Sequence, residues 1–460
     1  MMAAYADLES RLKRSIRRHH VPGASVAVLK GRRVVATAAA GVTNLDTQVP
    51  VTPDAVFQIG SITKVFTATL IMQLVDDGLL SLDTPIIEYL PEFQIADPVT
   101  RRNVTARHLL SHTSGIDGDF FVDSGRGDDT IARLMPMMTL LPTLFPLGTK
   151  MSYCNVGFAV LGRLVEVLRR ETYDHAMRHR IFKPLGMKQA MTLTEDALRH
   201  RCAVGHIADP KNPKRQRVAF VTHLSHGMKA AGSMPAMSAP DLLKFIAMHL
   251  DHGRVGTGER VVSAAAAIAM QRRQIRLQKW APSGVSGWGL GWALQDFGGH
   301  KVIGHDGGTV GQYSFLRVSP EKRVAVALLT NGGDAISVYQ DIVSDLFGTA
   351  IHRREAEAPR PDPNLRIEPE RYVGRYENIQ SSVVIEQHAG KLRSSTIPKT
   401  EMGMRLTDLP IAFVDRETAV VNTGDPRFDR MSALFSDRAD GHYRFMQVGL
   451  RQYRRVDQEA

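Results

Sequence analysis

The stretch FQIGSITKVFTA, residues 57–68, sets a serine and a lysine three positions apart in a run that is otherwise largely apolar. Burying a lysine beside a hydroxyl is costly, so the chain must gain something from it. A helix is predicted from Ser61 to about Asp77, with Val65, Phe66, Ile71, Leu74 and Val75 as its apolar stripe and Gly78 as its stop. Ser61 and Lys64 then share one face of the first turn, at the positive end of the helix dipole. A serine hydroxyl is a poor nucleophile until a neighbouring base accepts its proton. Lysine is such a base only when desolvation or nearby positive charge lowers its pKa towards neutrality. The apolar setting of Lys64 thus has a chemical purpose. S-x-x-K also arises by chance in many chains, so the spacing does not decide the chemistry alone.

Outward from this helix the chain divides by pattern. Residues 5–20 place apolar positions at helical spacing among charges, which predicts an amphipathic opening helix. ASVAVLKGRRVVATAAAGV, residues 24–42, reads as a hairpin around KGRR. The middle, roughly 85–285, is helix- and loop-rich and punctuated by prolines. From GWGLGWALQ (287–295) onward the pattern changes to short β-type runs, HKVIGHDGG, QYSFLRVSP and RVAVALLTNGG, followed by a helix in ISVYQDIVSDLFGTAI. The charged, proline-spaced HRREAEAPRPDPN (352–364) reads as a linker. It separates a domain over 1–351 from a small all-β domain over 365–460, whose runs alternate at period two between glycine-containing turns.

Composition bounds the function. The chain has 460 residues, 43 % of them apolar, which fits a soluble globular protein of two or three domains. No apolar run approaches the roughly 20 residues that cross a bilayer. Charges every few residues in MMAAYADLESRLKRSIRRHH leave no Sec-type signal, so a cytoplasmic location is expected. Two cysteines, Cys154 and Cys202, are too few for a disulfide framework and agree with a reducing compartment. The net charge of +11 is spread over clusters at 11–20, 211–217 and 272–279 that contain almost no aromatics. They read as solvated faces rather than as a nucleic-acid or membrane surface. His108 and His112 have the spacing of half a metal site, but no H-E-x-x-H or C-x-x-C accompanies them, and neither metal nor cofactor is expected. The methionines at 135, 137, 138 and 151 read as core filling ahead of an adaptable acyl pocket.

Two further segments bear on Ser61 and Lys64. FPLGTKMSYCNVGFAVLG (145–162) holds Tyr153-Cys154-Asn155 just before another helix, and GHDGGTVGQ (304–312) holds His305-Asp306-Gly307 in a strand that runs into glycines. The order S-x-x-K, Y-x-N and then a basic-x-G triplet resembles the penicillin-recognising serine hydrolases: class C β-lactamases, penicillin-binding proteins, D-aminopeptidases and family esterases. The blocks VTARHLLSHTSGI, IFKPLGM, AAGSMPAMSAPDLLKF and GWGLGW look like further family signatures in family order, so the resemblance covers about residues 15–350. It implies an α/β plus all-helical, two-subdomain β-lactamase/DD-peptidase-like fold around a central antiparallel sheet. The C-terminal domain resembles the lipocalin-like appendage of some family peptidases.

The resemblance also implies roles. Ser61 forms an acyl-enzyme, while Lys64 and a partly ionised Tyr153 share the proton transfer. Asn155 orients Lys64 and the substrate amide. The backbone N–H groups of Ser61 and Gly308 make the oxyanion hole, and glycines at 307 and 308 let substrate lie close along the strand. One departure matters: His305 stands where β-lactamases carry a lysine. A histidine is mostly neutral at pH 7 and offers no fixed charge to a substrate carboxylate. Asp306 reads either as a carboxylate that attracts a substrate amine or as a turn cap. Cys154 is not expected to be a nucleophile, and no G-x-S-x-G elbow occurs. The expected activity is therefore hydrolysis of a small amide or short peptide, ahead of an ester, with a β-lactam third. The reading from another class is a catalytically silent binding or scaffold protein. The sequence leaves the oligomeric state open.

Overall fold

The computed structural model describes residues 5, 7–209, 211–256, 258–278, 284–351, 359–400, 405–421 and 431–456. Its main sheet is antiparallel. Counting only that sheet's strands, these are β1 (Gly23–Lys30), β2 (Arg33–Gly41), β3 (Ile275–Arg276), β4 (Val285–Trp288), β5 (Ala293–Phe297), β6 (His300–Thr309), β7 (Gln312–Ser319) and β8 (Val324–Thr330). Their spatial order is β2-β1-β8-β7-β6-β5-β4-β3. The first hairpin forms as its sequence predicts, with Gly31 at φ 64° in the turn.

Both faces of this sheet are covered, and the period of two shows it. Along β8, Ala325, Ala327 and Leu329 pack on one core while Val324, Val326 and Leu328 pack on the other. On the second face lie α1 (Leu8–Arg18) and the C-terminal helical run Ala335–Tyr339, Gln340–Ser344 and Asp345–Ile351. On the first lie α2 (Thr63–Asp76), α3 (Asn155–Arg169) and α4 (Ala239–Leu250), which continue into the helical subdomain. The α2 segment differs from the predicted amphipathic stripe. From Thr63 to Met72 every residue is buried, because α3 and the segment around Ala230 wrap the polar side too. Two of its threonines find carbonyl acceptors, Thr69 within the helix at Val65 and Thr67 outside it at Ala230.

The C-terminal strands between Gly374 and Val456 close into a barrel in sequence order, the first (Gly374–Glu377) pairing antiparallel with the last (Arg451–Val456). An aromatic cluster of Tyr372, Tyr376, Phe413, Phe435 and Tyr443 fills it. Of the expected linker, 352–358 lie outside the described residues, and 359–364 carry neither helix nor strand. The barrel docks on the larger, N-terminal domain through Leu434 and Phe445, which join apolar clusters around Tyr153 and Phe145. Beside them, the Ile379 N–H donates to Asp117 Oδ2 at 2.6 Å.

Candidate active site

Ser61 lies in a 3-10 turn, Gly60–Ile62, that leads directly into α2. Three glycines permit this placement by close backbone approach. A Cβ on Gly307 would sit 1.9 Å from the Ile59 carbonyl oxygen, and one on Gly232 2.2 Å from that of Gly60. Gly60 itself has φ 51°, and a Cβ there would press on the Gly308 nitrogen at 2.6 Å. The N–H groups of Ser61 and Gly308 are thus brought to neighbouring positions. The glycine requirement differs from expectation: Gly307 is needed to pack against the nucleophile's own segment, whereas a Cβ on Gly308 would meet only the Tyr313 ring, at 3.7 Å. Strand β6 pairs with β7 along Ile303–Thr309, but with β5 only as far as Gly304. From His305 onward no strand among the described residues pairs with its other edge.

Lys64 is fully buried. Its Nζ donates to Asn155 Oδ1 at 2.6 Å and to the Ala231 carbonyl at 2.6 Å, and stands 3.0 Å from Ser61 Oγ. The first two partners only accept, so they hold two of its hydrogens. The third direction, a hydrogen when charged and a lone pair when neutral, faces the serine. Burial holds the Lys64 pKa well below the lysine range, the Arg451 charge lowers it further, and Asp119 acts in the opposite sense.

Tyr153 lies over this pair, with its ring centre 4.9 Å from the Lys64 amine and its hydroxyl beside Ser61. His112 stacks on the ring at 4.2 Å, and Trp288 meets it edge-on. Burial raises the phenol's pKa, the Ser61 hydrogen bond and Arg451 opposing. The partial ionisation expected of Tyr153 is therefore corrected: it is a protonated phenol, because the cost of burying a phenolate outweighs the Ser61 interaction and the Arg451 charge.

His305 presents Nε2 to the Tyr153 hydroxyl at 3.5 Å, while its Nδ1 donates to the Asp306 carbonyl at 2.7 Å. That bond fixes the tautomer, with Nε2 as acceptor. Burial and then the Lys64 charge bring the His305 pKa down to about 4, so the ring is neutral. Asp306 is not part of the cluster. Successive residues of a strand face opposite sides, and its carboxylate is held by Arg317 through contacts of 2.5 and 3.1 Å. The reading of Asp306 as an amine-recognising group is corrected accordingly.

Ser61, Lys64, Tyr153, Asn155, His305, Gly307 and Gly308 thus come together, and Asp306 does not. Cys154, within the second motif, is buried, and burial pushes its thiol up to about 12, far from a thiolate. His112 accepts from the Cys154 N–H through Nδ1, and His108 caps a short helix. Among the described residues no three His, Cys, Asp or Glu side chains gather as a metal site.

Sequence reading missed two members. Asp119 accepts from Asn155 Nδ2, and Arg451 Nε donates to Asp119 Oδ2 at 2.9 Å. Asp119 follows the HTSGI block closely enough to have been suspected. Arg451 sits in a β-hairpin of the other domain, and nothing in its local pattern connects it with Ser61.

The Beta-lactamase family model matches residues 7–341. The chain belongs to the beta-lactamase family. It is 45 % identical over 350 residues to a penicillin-binding protein 4 of Amycolatopsis lactamdurans, covering 75 % of this chain and 90 % of that one. To a D-aminopeptidase of Brucella anthropi it is 27 % identical, over 73 % of this chain and 61 % of that one. Among solved structures, SurE superposes over 99 % of both chains with a TM-score of 0.80 at 26 % identity. The similarity to SurE therefore includes the barrel, which lies beyond the family match. The protein is a serine hydrolase of this family with a β-lactamase/DD-peptidase-like fold and a further all-β domain. Among the described residues no helix is long and apolar enough to cross a membrane.

Proposed function

We propose that the chain hydrolyses small amide or short peptide bonds through an acyl-enzyme on Ser61, with preference for a D-amino-acid residue at the scissile carbonyl. The observation that carries the reaction type is the Lys64 amine, buried among neutral acceptors and 3.0 Å from Ser61 Oγ. In its neutral form Lys64 takes the Ser61 proton as Oγ bonds to the substrate carbonyl carbon. The carbonyl electrons move onto oxygen, which the N–H groups of Ser61 and Gly308 receive. The C–N bond then breaks, and the proton on Lys64 returns to the leaving nitrogen by way of the Tyr153 hydroxyl. The neutral His305 Nε2, 3.5 Å from that hydroxyl, offers it an acceptor at rest, and the hydrogen turns to the leaving nitrogen as the phenol oxygen takes the proton from Lys64. Asn155 holds the Lys64 amine with its oxygen and gives one amide hydrogen to Asp119, which leaves the second for the substrate. Water attacks the ester in the second half, with the same groups in reverse.

The substrate class rests on His305 and on the relatives. A neutral imidazole in the third motif does not reward the carboxylate of a β-lactam. One relative is named a D-aminopeptidase, and SurE has been solved with D-Leu. Expected outcomes are Ser61-dependent labelling by a fluorophosphonate, lost in Ser61→Ala, and faster turnover of D-alanine p-nitroanilide than of its L-isomer. Turnover of p-nitrophenyl acetate or nitrocefin with neither anilide cleaved would replace this reading with an esterase or a β-lactamase. Correctly folded protein that takes no Ser61-dependent label would be a silent member of the fold.

A further inference from the structure

Arg451 belongs to the barrel, yet its guanidinium lies 4.7 Å from the Tyr153 ring centre. Backbone bonds pin both flanks of this position to the catalytic half. The Tyr153 N–H donates to the Leu450 carbonyl at 2.7 Å, and the Gln452 N–H donates to Ser152 Oγ at 3.0 Å. From Arg451 a continuous run of hydrogen bonds leads to the nucleophile: Arg451 Nε to Asp119 Oδ2, Asn155 Nδ2 to Asp119 Oδ1, Lys64 Nζ to Asn155 Oδ1, and Lys64 Nζ to Ser61 Oγ.

The order of donors and acceptors in that run has a consequence. Lys64 needs the oxygen of the Asn155 amide, because the amide NH₂ would face its own hydrogens. A carboxylate on the far side, which only accepts, enforces that orientation by demanding the NH₂. Asp119 is such a carboxylate, with its side chain 11 % exposed, and it needs a donor of its own to hold it in place. Arg451 is that donor.

We propose that Arg451 is a positioning residue for the base that activates Ser61, acting through Asp119 and Asn155, so that the barrel takes part in the chemistry of the other domain. This rests on the acyl-enzyme reading above. The groups that act electrostatically on Lys64 or are acted on by it are Arg451, Asp119, Cys154, His112 and His305, with the Tyr153 ring beside the amine. His305 is neutral, burial holds His112 well below the usual histidine range, and the Cys154 thiol is pushed up to about 12. That leaves Arg451 and Asp119 as the opposed pair. Arg451 favours the neutral amine and Asp119 favours the ammonium. The Arg451 side chain is 38 % exposed, so its charge is partly screened.

The test follows the rate of fluorophosphonate labelling of the full chain against pH. That rate rises as Lys64 loses its proton. Arg451→Gln removes the positive charge, so the rising limb should move to higher pH, by on the order of one unit. Asp119→Asn leaves Arg451 uncompensated and should move the limb to lower pH. The double variant should return close to wild type, and Arg451→Lys should lie nearer wild type than Arg451→Gln. If Arg451→Gln does not fold, the isosteric Asp119→Asn carries the test by the direction of its shift alone. Limbs that stay in place while rates fall at every pH, or that move the same way in both single variants, overturn the inference. Wild-type protein without Ser61-dependent label overturns the acyl-enzyme reading and this inference together. An unmoved limb in protein that labels normally overturns only this one.

Discussion

Two lysines, Lys64 and Lys229, lie buried in the larger domain, and their surroundings could hardly differ more. Lys64 and Lys229 are 0 % and 1 % exposed. Lys229 meets the Asp174 carboxylate at 2.7 Å, within a layer that also holds Tyr173. Lys64 meets an amide oxygen, a backbone carbonyl and a hydroxyl, with an arginine near the same tyrosine ring. A charge taken out of water must be matched by an opposite charge, or the group gives up the charge. Lys229 is matched. Lys64 is left to neutralise, and the freed lone pair is what serine chemistry requires. Burial does not make a lysine reactive; burial without a counter-ion does.

The largest effect should come from denying Lys64 its neutral form. Lys64→Arg keeps the positive charge, but a guanidinium does not deprotonate in proteins. Ser61 labelling should then slow by about 10³-fold, within the range that a positioned general base contributes. A variant that labels at near wild-type rate would move the base elsewhere. Lys229→Met should have the opposite profile. It strands the Asp174 carboxylate and should cost about 3–5 kcal/mol of stability, as broken buried ion pairs do, read as a lower denaturation midpoint. Lys64→Met sharpens the contrast: no carboxylate is stranded at contact distance, so labelling should vanish while the midpoint holds or rises. Equal destabilisation by the two methionine variants would erase the distinction.

What the sequence disclosed of this arrangement follows the range of the forces involved. Ser61 and Lys64 are three residues apart on one helix turn, so their meeting is local and legible. The hairpin at Lys30–Arg33 and the alternating strands from His300 to Thr330 are legible for the same reason, since turn chemistry and the period of two are properties of neighbours. The full burial of α2 was not, because elements far away in sequence cover its polar side. Asp306 was misassigned through its neighbour: strand alternation sends adjacent side chains to opposite faces, and Arg317 on β7 was waiting on the other one. Arg451 lies 332 residues from Asp119 in a different domain. Only the docking of barrel on catalytic half makes it part of the site, and that docking is written in dispersed apolar residues with no periodic signature.

The same contrast between matched and unmatched burial recurs among the carboxylates, at smaller scale. Asp174 has Lys229. Asp117 is also buried, but its near partner is the Ile379 N–H of the barrel, and Asp119 lies close enough to repel it. Burial raises the Asp117 pKa to about 7; the Ile379 hydrogen bond opposes it, Asp119 adds a lesser rise and Lys399 a lesser fall. The sign follows from linkage. A carboxyl raised above its unfolded value near 4 binds its proton more tightly when folded, so the stability it contributes is present in acid and is lost as pH rises towards 7. The contact between barrel and catalytic half should therefore weaken over that interval. Asp117→Asn cannot ionise and should flatten the dependence, leaving the variant more stable than wild type at the upper end by about 2–4 °C in denaturation midpoint. The midpoint of wild type and variant, followed across the same pH range, decides it. Parallel curves would mean that Asp117 finds a counter-ion at the interface and belongs with Asp174 after all.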